Sequence, residues 1–514
     1  MSICDKFKTF NKIPFQPRED QLDVTRYFNC FDINGLVVFW SLGTGKTCLA
    51  ILISDSNIRK FDKIFVLTPG SLRENFQSQY CLSCGKYPAE LDKKFVFITY
   101  NNTRLKSLPN MDRSLIIIDE AHNIIRGKMN AGKFKEGSET SSIYETIYDH
   151  LENVKNSRFL LLSGTPVIDP MSIYYFIHLV ERDLTIETYK RNLLLNDVTE
   201  DYTFSKRLIK FLRIYISRNI IDLGGEDFPD FKENFVYISF GADQTREITK
   251  AFMYETHIIR IGLGGRLKDQ RKVTQTMLFL ARTRLKSSQL SNVLYPEGKG
   301  LKKVKDTTVE KGGWIDKTVV DDLDDYSPKL SHIIRYIKKN EGKHAIYTNY
   351  IEKHGMNFIR AVLEILGIPH LHFNGSMNDK ERTVVKDEIN KKDTTYKVLI
   401  FSRAAAEGQN FLGFRSLHLM EEIPDETITT QIFGRFIRYK SHEFLPKEKR
   451  NVAIFRYFGY PKNFKKELST SNKNLIESMP DFKLYDTGKK KFSVIKPLIE
   501  QLNELKPVPE ITTI

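Results

Sequence analysis

The stretch Gly35-Leu-Val-Val-Phe-Trp-Ser-Leu-Gly-Thr-Gly-Lys-Thr47 decides how the chain is read. Gly35 to Trp40 is a short apolar run of the kind that forms a strand buried on both faces, and Cys48-Leu-Ala-Ile-Leu-Ile53 continues as a helix after a glycine-containing turn. A strand, a glycine turn and a helix start gather backbone N–H groups and the positive end of a helix dipole around an anion. Glycine is needed where a Cβ would collide with phosphate oxygens. On this reading Gly43, Thr44, Gly45 and Lys46 cradle a triphosphate, Lys46 reaches the β and γ phosphates, and Thr47 offers its hydroxyl to Mg2+. The strict spacing of such loops has glycine at position 40, where this chain has Trp40.

A second strand-like run ends in charge: Leu115-Ile-Ile-Ile-Asp-Glu-Ala-His122. It delivers two carboxylates at a strand C-terminus, where ligands of open parallel sheets bind. Asp119 is placed to hold Mg2+ through water, and Glu120 to polarise the attacking water as general base. ATP and Mg2+ are therefore the expected cofactors. Far downstream, Gln431-Ile-Phe-Gly-Arg-Phe-Ile-Arg438 sets Gln431, Gly434, Arg435 and Arg438 at helical spacing. One face then presents two guanidinium groups that can neutralise charge developing on a γ-phosphate.

Short runs rich in Val, Ile and Phe recur on both sides of the chain centre. Residues 64–67, 95–99, 115–118 and 159–162 follow the first strand, with 236–240 as a later addition. Residues 344–347, 371–373, 398–401, 416–420 and 452–455 repeat the theme. Strands alternating with helices predict an α/β fold of two parallel-sheet lobes. Between them the rhythm is lost, and a basic helical insertion followed by a solvated linker is expected. The resulting division is 1–241 for the first lobe, 242–325 for the insertion and linker, 326–460 for the second lobe, and 461–514 for a helical tail with a helix over 493–505.

Composition bounds the rest. At 514 residues the chain has room for about three domains, and its 41% apolar and 28% charged content fits large cores rather than disorder. The 79 Lys and Arg exceed the 64 Asp and Glu, giving a formal charge of +15 and favouring polyanionic partners. Between Arg246 and Lys286 stand ten basic residues, against four acids when the flanking Asp243 is counted, a stripe that could follow a phosphate backbone. No apolar run is long enough to span a bilayer and the first residues lack a signal core, so no membrane partner and an intracellular location are expected. Five cysteines make no disulfide framework, and Cys81-Leu-Ser-Cys84 has no second pair to complete a zinc site.

With these motifs in order, the chain resembles the superfamily 2 helicases and translocases of DEAH type, which have two RecA-like lobes. Arg18-Glu-Asp-Gln21 resembles their glutamine motif, which implies that Gln21 reads adenine. Thr68-Pro-Gly-Ser71 is similar to their first nucleic-acid motif, and Ser163-Gly-Thr-Pro166 to the motif that couples hydrolysis to lobe movement. In the second lobe Tyr347-Thr-Asn349 and Phe373-Asn-Gly-Ser376 resemble the fourth motif region. Ser402-Arg-Ala-Ala-Ala-Glu-Gly-Gln-Asn410 resembles the fifth, bringing Gly408 to the nucleotide. Gln431 to Arg438 matches the sixth. Phe159 to Pro166, Phe373 to Ser376 and Met420 to His442 are spelled most like ATPases of large cytoplasmic DNA viruses, such as poxvirus nucleoside triphosphatase I and the early transcription factor small subunit. Ala405 stands where many relatives have glycine, and Gln409 where chromatin remodellers have Ile or Leu.

The resemblance implies an ATP hydrolase that moves on nucleic acid, DNA ahead of RNA, in viral transcription or genome processing, with the viral RNA polymerase as a partner and the host cytoplasm or virion as its place. The alternative is a polymerase-associated or promoter-binding factor that uses ATP as a switch.

Overall fold

The computed structural model describes residues 17–41, 44–69, 73, 76–77, 80, 91–99, 108–130, 139–165, 167–219, 228–264, 284–295, 317–403, 410–438, 440–461 and 479–509. They fall into two compact units, Met1–Asp222 with Phe492–Ile514, and Leu223–Lys491.

The first unit opens with α1 (Glu19–Cys30), β1 (Gly35–Trp40), α2 (Lys46–Asn57), β2 (Ile64–Thr68), α3 (Leu91–Lys94), β3 (Phe95–Thr99) and β4 (Leu115–Ile118). It continues with α4 (His122–Asn130), α5 (Glu139–Glu152), β5 (Arg158–Ser163), α6 (Ser172–Val180) and α7 (Ile186–Asn192). The short antiparallel pair β6 (Leu193–Asn196) and β7 (Asp201–Phe204), then α8 (Lys206–Tyr215) and β8 (Ile216–Asn219), complete it. The main sheet runs β3-β2-β4-β5-β1-β8, and every adjacent pair is parallel. All six strands therefore end at one edge.

Side chains alternate across that sheet. Val37, Phe39, Ile116, Ile118 and Leu161 join one buried cluster, whereas Leu36, Val38, Trp40, Ile117, Leu160 and Leu162 join the other. A strand covered on both faces has no polar alternation, which is why these runs read as continuous apolar segments. At about 1.5 to 3 kcal/mol for each large apolar side chain removed from water, the two layers fix the sheet and with it the loops at its edge.

Strand β8, Ile-Ser-Arg-Asn, has no apolar signature. It is held by polar contacts: Trp40 Nε1 donates to Ser217 Oγ at 2.7 Å, and the buried Arg218 guanidinium donates to the Phe39 carbonyl and to Asn503 Oδ1.

The second unit begins with β9 (Asp230–Phe240), α9 (Ala242–Gly264), α10 (Leu285–Asn292), α11 (Lys317–Asp321), α12 (Leu323–Tyr326), α13 (Pro328–Lys339) and β10 (Lys343–Tyr347). Then come α14 (Met356–Ile365), β11 (His370–Phe373), α15 (Asp379–Asn390), β12 (Val398–Phe401), β13 (Phe414–Leu419), α16 (Glu426–Phe436), β14 (Asn451–Pro461) and α17 (Pro480–Asn503). Its sheet, β11-β12-β10-β13-β14-β9, is also parallel throughout. Two parallel-sheet α/β lobes are thus present, as the sequence predicts.

Two differences are physical. The run at 236–240, read as a late strand of the first lobe, is the end of β9, which pairs in register with β14 from Asp230↔Asn451 to Phe240↔Pro461. The lobe boundary therefore falls before Asp230 rather than at 241. The tail helix starts at Pro480, not 493, because Asp481, an acid in a Lys-rich segment, is fully buried against Lys329 at 2.8 Å. From Phe492 onward the same helix belongs to the first unit, where Ile495, Leu498 and Leu502 enter the core. No described helix is long and apolar enough to cross a membrane.

Candidate nucleotide site

In the first unit the common C-terminal edge of the strands collects the motif residues. The end of β1 leads to Ser41, Thr44, Gly45 and Lys46, the end of β4 to Asp119 and Glu120, and the end of β5 to Ser163, Gly164 and Thr165. Gly45 caps α2 with φ +79°, and a Cβ there would lie 2.5 Å from Gln21 Nε2. Only glycine takes that backbone without strain, and only glycine leaves room for the glutamine.

Gln21 is buried against this loop. Its Nε2 donates to the Gly45 carbonyl at 3.1 Å, and its Oε1 accepts from Arg18 N–H at 3.0 Å. Arg18 in turn donates to the Thr44 carbonyl at 2.6 Å and lies 5.9 Å from the Trp40 ring. Asp20 accepts from Asn219 Nδ2. The glutamine motif thus braces the phosphate loop from outside. The sequence reading gave Arg18 and Asn219 no role; the signal for Arg18 was its place three residues before Gln21.

Lys46 is buried, and its Nζ donates to the Trp40 and Ser41 carbonyls at 2.9 and 3.1 Å. Trp40 itself is the fully buried last residue of β1, so it serves the core rather than the loop. That explains why position 40 tolerates a large ring: the turn needed for phosphate begins after it. Thr47 is half-buried in the first turn of α2. Gly43 and Gly408 lie outside the described residues, as do Gly70, Ser71, Pro166, Ala405, Gln409, Cys81 and Cys84.

Asp119 is buried, and its Oδ1 accepts from Glu120 N–H at 3.0 Å. Glu120 takes φ +51°, a left-handed conformation that costs a non-glycine residue on the order of 1 kcal/mol. His122 Nδ1 lies 3.1 Å from Ser163 Oγ and 3.3 Å from Glu120 Oε2. Ser163 Oγ donates to the Thr165 carbonyl and therefore accepts from His122, which fixes the proton on Nδ1. The histidine links the carboxylate motif to the β5 motif within one unit, a role the sequence did not assign to it.

The donor chemistry suits Mg2+. A carboxylate and a hydroxyl, Asp119 and Thr47, are hard oxygen ligands of the kind that hold Mg2+ together with substrate phosphates. Among the described residues no cluster of three or more His, Cys, Asp or Glu forms a self-contained metal cage.

In the second unit the corresponding edge carries Asn349, Asn374, Ser402, Glu421 and α16. Asp425 caps α16 by accepting from Thr427 and Ile428 N–H. The helix ends at Phe436, so Arg438 is past its end: the expectation of one helical face bearing both guanidinium groups is corrected. Arg435 is buried on the helix, and half-buried Arg438 donates from Nε to the Gly434 carbonyl at 2.8 Å. Gln431 is half-buried on α16.

Beside these motifs the structure builds a charged core that sequence reasoning missed. Glu421 is wholly buried, accepts from Asn349 N–H and Asn292 Nδ2, and has its pKa pushed up to about 7 by burial. Glu422 takes the buried Arg456 in a fork, with Nε and Nη2 both donating. The signal was a pair of acids directly after the apolar strand β13.

Of the ten basic positions in the insertion, Arg266, Lys268, Arg271, Lys272 and Arg282 lie outside the described residues. Arg246 pairs with Asp243 and Glu247, and Lys250 with Glu247. Arg284 is buried 4.0 Å from the Phe252 ring and donates to the Phe252 carbonyl. The stripe is therefore not uniformly solvent-facing.

Comparison with known proteins finds a helicase family model and viral relatives. Residues 328–440 match the family described as the Helicase conserved C-terminal domain. A protein of Acanthamoeba polyphaga mimivirus named as an ATP-dependent RNA helicase, R563, is 27% identical, covering 88% of this chain and 85% of its own. Nucleoside triphosphatase I of Melanoplus sanguinipes entomopoxvirus is 22% identical over 85% of this chain and 72% of its own. The solved Sulfolobus solfataricus SWI2/SNF2 ATPase core in complex with dsDNA aligns over 94% of this chain and 99% of its own, at 17% identity and a TM-score of 0.35.

Proposed function

We propose that this chain, which is similar to superfamily 2 helicase-like viral ATPases, is an ATP-driven motor that moves along nucleic acid, DNA in the first instance, during transcription or genome processing of a large DNA virus. The observation that carries the reading is the parallel register of the first sheet. It sets Gly45 to Thr47, Asp119 with Glu120, and Ser163 to Thr165 on one edge, with Gln21 locked to Gly45.

In this reading Thr44, Gly45 and Lys46 seat the triphosphate, and Lys46 exchanges its loop carbonyls for phosphate oxygens. Thr47 and Asp119 hold Mg2+, which when bound neutralises phosphate charge and orients the β and γ groups. Glu120 takes the proton of the attacking water. His122 carries any shift of Glu120 to Ser163 and so to the β5 loop. Arg435 and Arg438 are the guanidinium groups that neutralise charge developing on the γ-phosphate, with Gln431 as a neutral amide on the same helix as Arg435.

The likeness of Met420 to His442 to DNA-virus ATPases supports DNA, while the naming of the mimivirus relative favours RNA. Steady-state ATP hydrolysis with no polymer, single-stranded DNA, duplex DNA and RNA separates them. Stimulation of turnover by DNA above RNA is expected. ATP binding with turnover unmoved by any polymer would refute the motor and favour a polymerase-associated switch.

A further inference from the structure

The strands of the second sheet end at the motif edge, and a separate cavity opens where they begin. It holds about 810 Å3 and is lined by Lys339, Lys343, Lys392, Lys397, Arg415 and Lys449, with Glu341 as its one carboxylate. Lys343 starts β10, while Lys397 and Arg415 flank the starts of β12 and β13. Because the sheet is parallel, this edge is opposite the one that carries Asn349, Ser402 and Glu421.

The charge is not neutralised internally. Among the described residues Lys449 pairs with Glu341 at 3.3 Å, and none of the other five has a carboxylate within salt-bridge distance. Lys343 is the clearest case. It is 9% exposed, and its Nζ donates to the Ile389 carbonyl at 2.9 Å with the rings of Phe414 and Phe444 at 5.4 and 5.7 Å. Burying an ammonium with a carbonyl and two rings for company is costly, and burial pushes its pKa down to about 8. An anion in the cavity would offset that cost.

Two left-handed glycines shape the walls. Gly342 has φ +98°, and a Cβ there would meet Arg415 Cγ at 2.4 Å. Gly413 has φ +68°, and a Cβ there would meet Phe444 Cζ at 2.4 Å. Each glycine admits one wall residue, so the guanidinium and the aromatic ring are seated by the backbone. Arg415 also donates to the Lys449 carbonyl, which holds it across the opening.

We propose that this cavity is a second anion site, distinct from the nucleotide site, that binds a small organic polyphosphate of nucleotide size. Its volume is within the range of small-ligand pockets of about 300 to 1,000 Å3 and far exceeds a single phosphate. Several converging cations need several anionic groups on one compact molecule. Phe444 and the half-buried Tyr396 give the ligand carbon skeleton an apolar wall. A duplex presents a convex backbone to a protein, so a concave chamber floored by strand ends suits the compact ligand better.

The test is calorimetric titration of the full chain with inositol hexakisphosphate, with guanosine tetraphosphate in the presence of saturating ATP analogue, and with a duplex DNA. Saturable 1:1 binding of at least one small probe is expected, weakened tenfold or more in Lys392→Glu/Lys397→Glu, whose partly exposed side chains spare the core. Lys343→Gln should weaken it at least as much, and basal ATP hydrolysis of the double variant should match wild type, which shows that it folds. Guanosine tetraphosphate binding more tightly than inositol hexakisphosphate would mark a nucleotide ligand, the reverse a sugar polyphosphate, and either supports the site. Absence of saturable binding by both small probes at millimolar concentration overturns the proposal. So does equal binding by wild type and the double variant. Duplex binding lost in the same variant while the small probes fail to bind would reassign the cations to a nucleic-acid surface.

Discussion

Replacing Trp40 with glycine would bring the phosphate loop into line with the strict glycine spacing, and a motif-based argument would expect tighter ATP binding. The structure implies the opposite for the fold. Trp40 is fully buried at the end of β1, and its Nε1 is bonded to Ser217 Oγ. Truncating a buried Trp to Ala costs about 3 to 5 kcal/mol. Glycine in a strand adds about 0.5 to 1 kcal/mol of backbone entropy. Trp40→Gly should therefore destabilise the first unit by about 4 to 6 kcal/mol, while Trp40→Phe, which keeps most of the volume and loses the indole donor, should cost about 1 to 2 kcal/mol. Native-state hydrogen exchange resolves the two units, because peptides from β10 and β13 serve as the internal reference for those from β1, β5 and β8. The glycine variant should lose protection by about 10³-fold or more in the first unit alone. Protection within tenfold of wild type, or a gain in ATP affinity without loss of stability, would refute the view that Trp40 is a core residue beside the loop rather than part of it.

Four further outcomes are expected. Glu120→Gln should abolish single-turnover hydrolysis while keeping ATP affinity, since the amide retains size but lacks the basic oxygen; near-normal turnover removes the general base. Arg438→Ala should slow hydrolysis by on the order of 10³-fold with a much smaller change in affinity, and equal losses in both would make the arginine a binding contact. Lys329→Met should cost about 3 to 5 kcal/mol because it strands Asp481 in the core with Ser291 and Gly459 as its remaining donors. Adding Asp481→Leu should make the pair cost at least about 2 kcal/mol less than the sum of the singles, and strict additivity in urea unfolding would deny the coupling. Finally, burial holds His344 and His442 down to about 4 and pushes His418 well below the ordinary imidazole range, so each takes up its proton more readily when unfolded. Stability present above about pH 6.5 is lost as pH falls towards 4, by about 3 kcal/mol each for His344 and His442, with His418 acting in the same direction. Glu421, raised to about 7, has the opposite sign: its contribution is present below about 4.5 and lost as pH rises through 7. Three histidines outweigh one glutamate, so melting of the second unit should fall steeply between pH 6.5 and 4.5, and a flat profile there would contradict the burial.

The strands that position the site were legible because a doubly covered parallel strand writes itself as an apolar run: β1 to β5 and β12 appear that way, while β10, β11, β13 and β14 show shorter apolar stretches beside His, Arg or Ser. Strand β8 was illegible for the converse reason. After Ile216 its residues are polar, and the bonds that hold it reach Trp40 and Asn503, far away in sequence. Strand β9 was seen in part and given to the wrong sheet, since an apolar pattern says that a strand is buried and not which neighbour it pairs with. The catalytic motifs were legible because phosphate chemistry demands glycine, lysine and carboxylates at short range. Arg18 and the His122 bridge were not, because support of a loop depends on where a neighbouring element returns. The helical spacing from Gln431 to Arg438 misled at its last residue, as periodicity continues in a sequence after the helix has stopped.

The last turns of α17 and the residues just after it complete the first unit: Leu498 and Leu502 fill its core, Gln501 bonds both backbone groups of Phe204, and Ser217 donates to the Pro507 carbonyl. A ribosome delivers these residues roughly 270 positions after Asp222. At about 5 to 20 residues per second, the N-terminal lobe waits roughly 10 to 50 s for its own final helix, while the whole second lobe is made and can fold. The lobe that carries the phosphate loop is therefore the last to close during synthesis, and a chain cut short anywhere before residue 492 would leave it unfinished however complete its motifs look.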